Sequence, residues 1–104
     1  MNITTHILDT GRGKPAFGVP VRLLAQTADG WVVLGEGYTD GDGRVANLLP
    51  PTAPRAKVYR LFFDLSEYKG FYPYVEVTFA PQDERHHHVP LLLSPYGYST
   101  YRGS

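Results

Sequence analysis

Residues 74–79 read Tyr74-Val75-Glu76-Val77-Thr78-Phe79, and apolar residues alternate with more polar ones along this stretch. Successive side chains of a β-strand point to opposite faces, so this period of two predicts a strand with one buried face. The same alternation recurs on both sides of the stretch, whereas no segment sustains the 3.6-residue apolar period of a helix. We therefore expect an all-β fold.

Short predicted strands recur along the chain at a spacing of roughly 8–12 residues, and clusters of Gly, Pro and Asp separate them. About eight such strands predict a β-sandwich or a β-barrel. One helical turn is expected at 64–69, with Ser66 as its cap. Besides 74–79, the predicted strands are 3–8, 19–24, 31–38, 44–45, 58–63, 86–93 and 96–101.

The composition limits the class of protein. A chain of 104 residues forms one domain, 1–104, and its ten basic and ten acidic residues favour neither nucleic acid nor an anionic membrane as partner. The lack of cysteine excludes disulfides and thiolate ligands. Because residues 1–6 lack the charged and apolar regions of a signal peptide, we expect a cytoplasmic protein, or a periplasmic one if a leader was removed.

The chain has four histidines, and three of them are contiguous at 86–88. In a strand, His86 and His88 share a face and His87 points away. Three interpretations stay open: a solvated strand end, a metal site in which His6 joins His86 and His88, or general acid–base catalysis. The spacing of these residues does not choose among them.

Two further features carry candidate chemistry. Arg44 follows the acidic turn Asp40-Gly41-Asp42-Gly43, and it is either a solvated charge or a planar donor for a flat, anionic heterocycle or a developing oxyanion. Residues 94–104 form a patterned run of hydroxyls, aromatic rings and one Arg close to the histidines, which predicts a working part of a site. The Tyr and Phe content exceeds the needs of one small core, which favours an oligomer interface.

Several segments then combine into a pattern, and the most specific is the terminal Tyr101-Arg102-Gly103-Ser104. The others are Thr5-His6-Ile7-Leu8-Asp9-Thr10, the loop at 11–20, Thr39-Asp40-Gly41-Asp42-Gly43-Arg44 and His86-His87-His88-Val89-Pro90-Leu91-Leu92-Leu93-Ser94-Pro95. Together they resemble the 5-hydroxyisourate hydrolases, the transthyretin-like enzymes of purine degradation. The resemblance spans nearly the whole chain, which looks trimmed only between Asp64 and Tyr74.

The resemblance implies an eight-stranded prealbumin-like β-sandwich with one short helix. It also implies a homotetramer, a dimer of dimers, with active sites at the dimer–dimer interface. The implied reaction opens a ring amide of 5-hydroxyisourate to give 2-oxo-4-hydroxy-4-carboxy-5-ureidoimidazoline, with no metal and no cofactor. The implied catalytic residues are His6, Arg44 and His88, and the implied substrate-binding residues are Tyr101, Arg102, Gly103 and Ser104.

Of His6 and His88, one activates the water and the other orients it. Which of the two acts as the base stays open. Two other classes of function remain as alternatives. A transthyretin-like carrier binds a small molecule without accelerating its reaction. A β-sandwich interaction module predicts a disordered C-terminus and no convergence of His6, Arg44 and His88.

Overall fold

The computed structural model describes residues 1–103 and contains nine β-strands in two sheets. Ser104, the last residue of the predicted substrate-binding segment, lies outside the described residues. The strands are β1 (Ile3–Asp9), β2 (Lys14–Pro15), β3 (Pro20–Thr27), β4 (Gly30–Tyr38), β5 (Arg44–Val45), β6 (Tyr59–Asp64), β7 (Tyr74–Phe79), β8 (His87–Ser94) and β9 (Gly97–Thr100).

The two sheets pack face to face as a β-sandwich, which confirms the predicted fold class. The first sheet has the order β2-β1-β8-β9, with β5 also paired to β1, and the second has the order β4-β3-β6-β7. All pairings are antiparallel except that of β1 with β8, which is parallel.

The core forms where the alternating strands turn their apolar faces towards each other. Along β1 and β6 every second residue is buried, and Tyr59 and Phe63 of β6 are fully buried. Each fully buried large apolar side chain contributes about 1.5–3 kcal/mol relative to an exposed one. The opposite faces of these strands are therefore free to carry polar side chains.

Two local expectations differ from the structure. The short strand β2 lies within the stretch expected to be a loop, because it pairs with the end of β1. Residues 66–69 form hydrogen-bonded turns, and no helix occurs in residues 1–103. Asp64 Oδ1 accepts hydrogen bonds from both N and Oγ of Ser66, and Lys69 has a φ of 60°, so the segment reverses before a helix begins. The described part of the chain thus offers no helix that could cross a membrane.

The pairings of β1 bring distant residues onto one surface. His6 is the register partner of Arg44 on β5, and Thr4 is the register partner of His88 on β8. Side chains of register partners project on the same side of a sheet, and positions two apart on a strand share a side. Thr4, His6, Arg44 and His88 therefore all lie on the outer face of the first sheet, the face turned away from the core.

Candidate functional site

The outer face of the first sheet carries a cluster of two imidazoles and one guanidinium, which we call the His6–Arg44–His88 cluster. His6 and His88 are half-buried, and their ring centroids lie 6.4 Å apart with the planes tilted by 33°. Arg44 is exposed beside His6. The structure thus brings together the three residues predicted to be catalytic, which an interaction module would not require.

A tight turn presents Arg44. Asp40 Oδ1 accepts hydrogen bonds from the backbone N–H groups of Asp42 at 2.9 Å and Arg44 at 3.0 Å. The backbone N–H of Arg44, with the other turn N–H and the charge of Arg44, holds the pKa of the Asp40 carboxyl below its usual range. The carboxylate therefore stays ionised at neutral pH and keeps the start of β5 in place.

Gly43 lets this turn approach β1 closely. Its φ is 75°, and a Cβ at this position would lie 2.5 Å from Ile7 O and 3.3 Å from His6 Cδ2. The backbone N–H of Ile7 donates to Gly43 O at 2.8 Å. Only glycine can adopt this left-handed backbone conformation and also fit so close to β1. The lack of a side chain at position 43 therefore allows the turn to pack beside His6.

Thr4 joins two of the contiguous histidines. Its Oγ1 lies 2.8 Å from His88 Nδ1 and 2.7 Å from His86 Nε2. The rings of His86 and His88 lie 6.4 Å apart, which confirms that these two side chains share a side of the chain. The sequence analysis missed Thr4, although its position two residues before His6 on the same strand was a signal that could have found it.

The environment of His88 favours its neutral form. Partial burial lowers the pKa of His88, and the positive charges of Arg44, His6 and His86 lower it further. A hydrogen bond with the main chain of Thr4 acts in the opposite direction and raises it. The net lowering leaves an uncharged imidazole at neutral pH, which is the form able to accept a proton.

His87 faces the core, as its place in the strand predicts. It is 3% exposed, and its Nδ1 lies 2.7 Å from the carbonyl oxygen of Arg85, so this nitrogen carries the proton and donates. Its Nε2 is buried without a hydrogen-bond partner among the described residues and lies 3.9 Å from Asp83 Oδ1. His87 is therefore separate from the cluster on the outer face.

The C-terminal segment runs directly beside His88. The backbone N–H of Gly103 donates to His88 O at 2.7 Å, and a Cβ on Gly103 would lie 2.8 Å from His88 Cδ2. Tyr101 is 55% exposed, and Arg102 Nη2 lies 3.2 Å from Asp83 Oδ1. Of the predicted substrate-binding residues, Gly103 thus contacts a residue of the cluster, whereas the guanidinium of Arg102 is held by a carboxylate.

Asp83 is a second residue that the sequence analysis missed. The guanidinium groups of Arg85 and Arg102 hold the pKa of its carboxyl well below its usual range. The Asp83–Arg102 ion pair ties the C-terminal segment to the loop before β8. The signal was weak in the sequence, because Asp83 lies 19 positions from Arg102.

The metal interpretation gains no support from this arrangement. Within residues 1–103, no group of three or more His, Cys, Asp or Glu side chains is placed to hold a metal ion. His86 and His88 each direct one ring nitrogen to the Thr4 hydroxyl, so that nitrogen is already engaged in a hydrogen bond.

Fold and site together define a two-sheet β-sandwich protein with a paired-imidazole site suited to general acid–base chemistry. Residues 3–103 match the family model described as HIUase/Transthyretin family, and the chain belongs to this family. It is 46% identical to the 5-hydroxyisourate hydrolase of Mus musculus, with 98% of this chain and 94% of the relative covered.

Solved structures of both branches of the family share the fold. The 5-hydroxyisourate hydrolase of Klebsiella pneumoniae superposes with a TM-score of 0.83 at 31% identity, covering 99% of this chain and 98% of the other. Sea bream transthyretin, solved in complex with thyroxine, superposes with a TM-score of 0.86 at 35% identity, covering 97% and 93%. The fold alone therefore does not separate an enzyme from a carrier, and the residues of the site must do so.

Proposed function

We propose that this chain hydrolyses 5-hydroxyisourate, opening a ring amide in the degradation of urate. The observation that carries the proposal is the convergence of His6, Arg44 and His88 on one face of the sheet, beside the C-terminal segment. The 46% identity to a 5-hydroxyisourate hydrolase over 98% of this chain gives independent support.

The reaction requires an activated water, stabilisation of an oxyanion and orientation of a flat polar ring. His88 is the general base in this proposal, because its lowered pKa keeps the imidazole neutral at neutral pH. His6, with its ring centroid 6.4 Å away, orients the water from the other side. Arg44 donates to the substrate's acceptor oxygens and stabilises the charge that develops on the attacked carbonyl.

The C-terminal segment forms one wall of the site in this proposal. Gly103 supports it most directly, since its backbone contacts His88. Tyr101 and Arg102 complete the wall and hold the ring in place. The absence of a side chain on Gly103 leaves room for the imidazole at the point of closest approach.

The carrier alternative shares the fold but gives no role to the cluster. A carrier needs a cavity that matches its ligand, whereas a neutral imidazole, a second imidazole and an exposed guanidinium are the groups that hydrolysis needs. We therefore favour the enzyme.

The decisive experiment follows the absorbance of freshly prepared 5-hydroxyisourate with and without the protein. An enzyme accelerates the decay above the spontaneous rate, whereas a carrier binds the compound and leaves the rate unchanged. Arg44→Ala should lose about 2–4 kcal/mol of transition-state stabilisation, which corresponds to a fall in kcat of roughly 30- to 900-fold. Arg22→Ala is the matched control, because Arg22 is an exposed arginine of β3 that pairs with Glu36 on the second sheet.

We also propose that the protein assembles as a homotetramer, a dimer of dimers. The strands β7 and β9 lie at the edges of their sheets, and unpaired edges offer backbone donors and acceptors to a second copy. Large side chains such as Phe71, Tyr96 and Tyr98 are exposed and fit an interface. Light scattering coupled to size-exclusion chromatography tests this, and a monomer at micromolar concentration would contradict it.

A further inference from the structure

We propose that Thr4 and His86 act as positioning residues that fix the tautomer of His88, leaving its Nε2 as the basic atom. In this arrangement His88 Nδ1–H donates to Thr4 Oγ1, and the Thr4 hydroxyl donates in turn to His86 Nε2. The catalytic meaning of the inference rests on the proposed function, but the order of the hydrogen bonds does not.

The number of protons at Thr4 restricts the possible arrangements. Thr4 Oγ1 lies within hydrogen-bond distance of two imidazole nitrogens, His88 Nδ1 at 2.8 Å and His86 Nε2 at 2.7 Å. A hydroxyl has one proton to donate, so it cannot donate to both rings. With both rings neutral, at least one of the two ring nitrogens must therefore carry a proton and donate to Thr4, and the hydroxyl can accept from both. Two of the three possible arrangements place a proton on His88 Nδ1.

The surroundings favour the proton on His88 Nδ1. A hydrogen bond with the main chain of Thr4 raises the pKa of His88, which is the effect of an acceptor on a ring N–H. The side chain of His86 is exposed, so its other ring nitrogen can donate to water. His86 therefore loses nothing by accepting at Nε2.

The backbone holds the three groups in place. Thr4 and His88 are register partners in the parallel pair β1–β8, and the backbone N–H of His87 donates to Asn2 O at 2.9 Å just beyond the paired stretch. A β-branched threonine has a restricted χ1, so its hydroxyl keeps a defined direction. Thr4 and His88 thus lie on paired strands, and His86 is the residue directly before β8.

The consequence for the reaction is a defined proton path. With Nδ1 protonated and held by Thr4, the free lone pair of His88 lies on Nε2. As the oxygen of water forms its bond to the substrate carbonyl carbon, one water O–H bond breaks and its proton passes to Nε2. The resulting imidazolium then gives this proton to the ring nitrogen as the C–N bond breaks. Thr4 and His86 stabilise the imidazolium through hydrogen bonds and exchange no proton in this step.

Nitrogen NMR of the histidine rings tests the order of the hydrogen bonds without any substrate. In protein labelled with ¹⁵N at histidine, at a pH above the titration of His88, we expect its Nδ1 to be protonated and its Nε2 to carry the lone pair. In Thr4→Val, which keeps the shape and removes the hydroxyl, the two tautomers of His88 should mix. A proton on Nε2 in the unmodified protein would overturn the inference even if hydrolysis is observed.

Kinetics test whether the arrangement matters for turnover. Thr4→Val should lower kcat at least about tenfold with KM changed less than about twofold, because a base in the wrong tautomer is inactive although the substrate still binds. Thr4→Ser should restore most of the rate, since it returns the hydroxyl. His86→Leu should fall between the two, because the hydroxyl remains but loses its acceptor.

A matched control separates this effect from a general loss of strand structure. Thr78→Val removes an exposed hydroxyl from β7, where it accepts a hydrogen bond from Arg60 Nε, and it should leave kcat unchanged. Equal rates for Thr4→Val and the unmodified protein would refute the positioning role. A complete lack of hydrolysis by the unmodified protein would instead refute the proposed function, and the NMR result would still decide the order of the hydrogen bonds.

Discussion

Gly103→Ala tests the contact between the C-terminal segment and His88 with a single methyl group. The new Cβ would lie 2.8 Å from His88 Cδ2 and 3.3 Å from both Cβ and Cγ of the same side chain. Carbon atoms at rest are separated by about 3.5–4.0 Å, so either the ring or the segment must move by roughly 0.7–1.2 Å. The φ of Gly103 is outside the left-handed region, so the substitution adds crowding without backbone strain.

A displacement of this size is large for a catalytic group. A misplacement of about 1 Å can lower a rate on the order of 10²-fold, which corresponds to about 2.7 kcal/mol. We expect kcat/KM of Gly103→Ala for 5-hydroxyisourate to fall by that factor. The melting temperature should change little, because the contact lies at the surface and involves one backbone hydrogen bond to His88.

The control is Gly70→Ala, since a Cβ at Gly70 would meet nothing within 4 Å and its backbone is likewise outside the left-handed region. Absorbance decay of the substrate and a thermal melt, measured on both variants, give the comparison. A Gly103→Ala variant with kcat/KM within about twofold of the unmodified protein would show that the close approach to His88 does not position the ring.

Two more predictions concern the charge and the turn at the site. Because neutral His88 is required, kcat/KM should rise with pH through a pKa below the ordinary value of about 6.5. Arg44→Gln removes a positive charge that lowers this pKa, so an NMR titration should find the pKa of His88 raised, and an unchanged or lower value contradicts this. Gly43 and Gly18 have nearly the same φ, 75° and 76°, but only a Cβ at Gly43 would meet neighbouring atoms. Replacing either glycine by Ala should lower the free energy of unfolding, measured by urea denaturation, by about 1–2 kcal/mol because of the left-handed backbone. Gly43→Ala should lose a further ~1–3 kcal/mol from crowding. Equal losses of unfolding free energy in the two variants would contradict the crowding, because the turn at Gly43 would then be able to move away from β1.

The architecture could be predicted because most strands are half-buried and therefore alternate. The stretch 74–79 is an example, since Val75 and Val77 are buried and Glu76 is exposed in the structure. The turn at 66–69 could not be predicted in the same way. In the structure Asp64 accepts hydrogen bonds from Ser66, and the segment forms turns instead of a helix. The choice between these two conformations depends on the position of the following strand, which is a tertiary effect.

The candidate site likewise contains residues that could be predicted from the sequence and residues that only the tertiary structure reveals. His6, Arg44 and His88 stand out because their side chains carry chemistry that a sandwich core does not need. Thr4 is an ordinary strand residue, and only the parallel register with β8 reveals its contact with His88. Residue type thus indicates which side chains can react, whereas register decides which groups hold them.

Because β1 and β8 lie near opposite ends of the chain, the site can form only late in synthesis of the protein. Thr4 and His88 are 84 residues apart, so at a synthesis rate of about 5–20 residues per second roughly 4–17 s separate their appearance. During that interval β1 can pair with β2 and β5 on one side, while its other edge waits for β8. An unpaired strand edge is prone to aggregation. The edge of β1 that later receives β8 is therefore where a chaperone, or a mutation that adds a charge, will most affect the yield of folded protein.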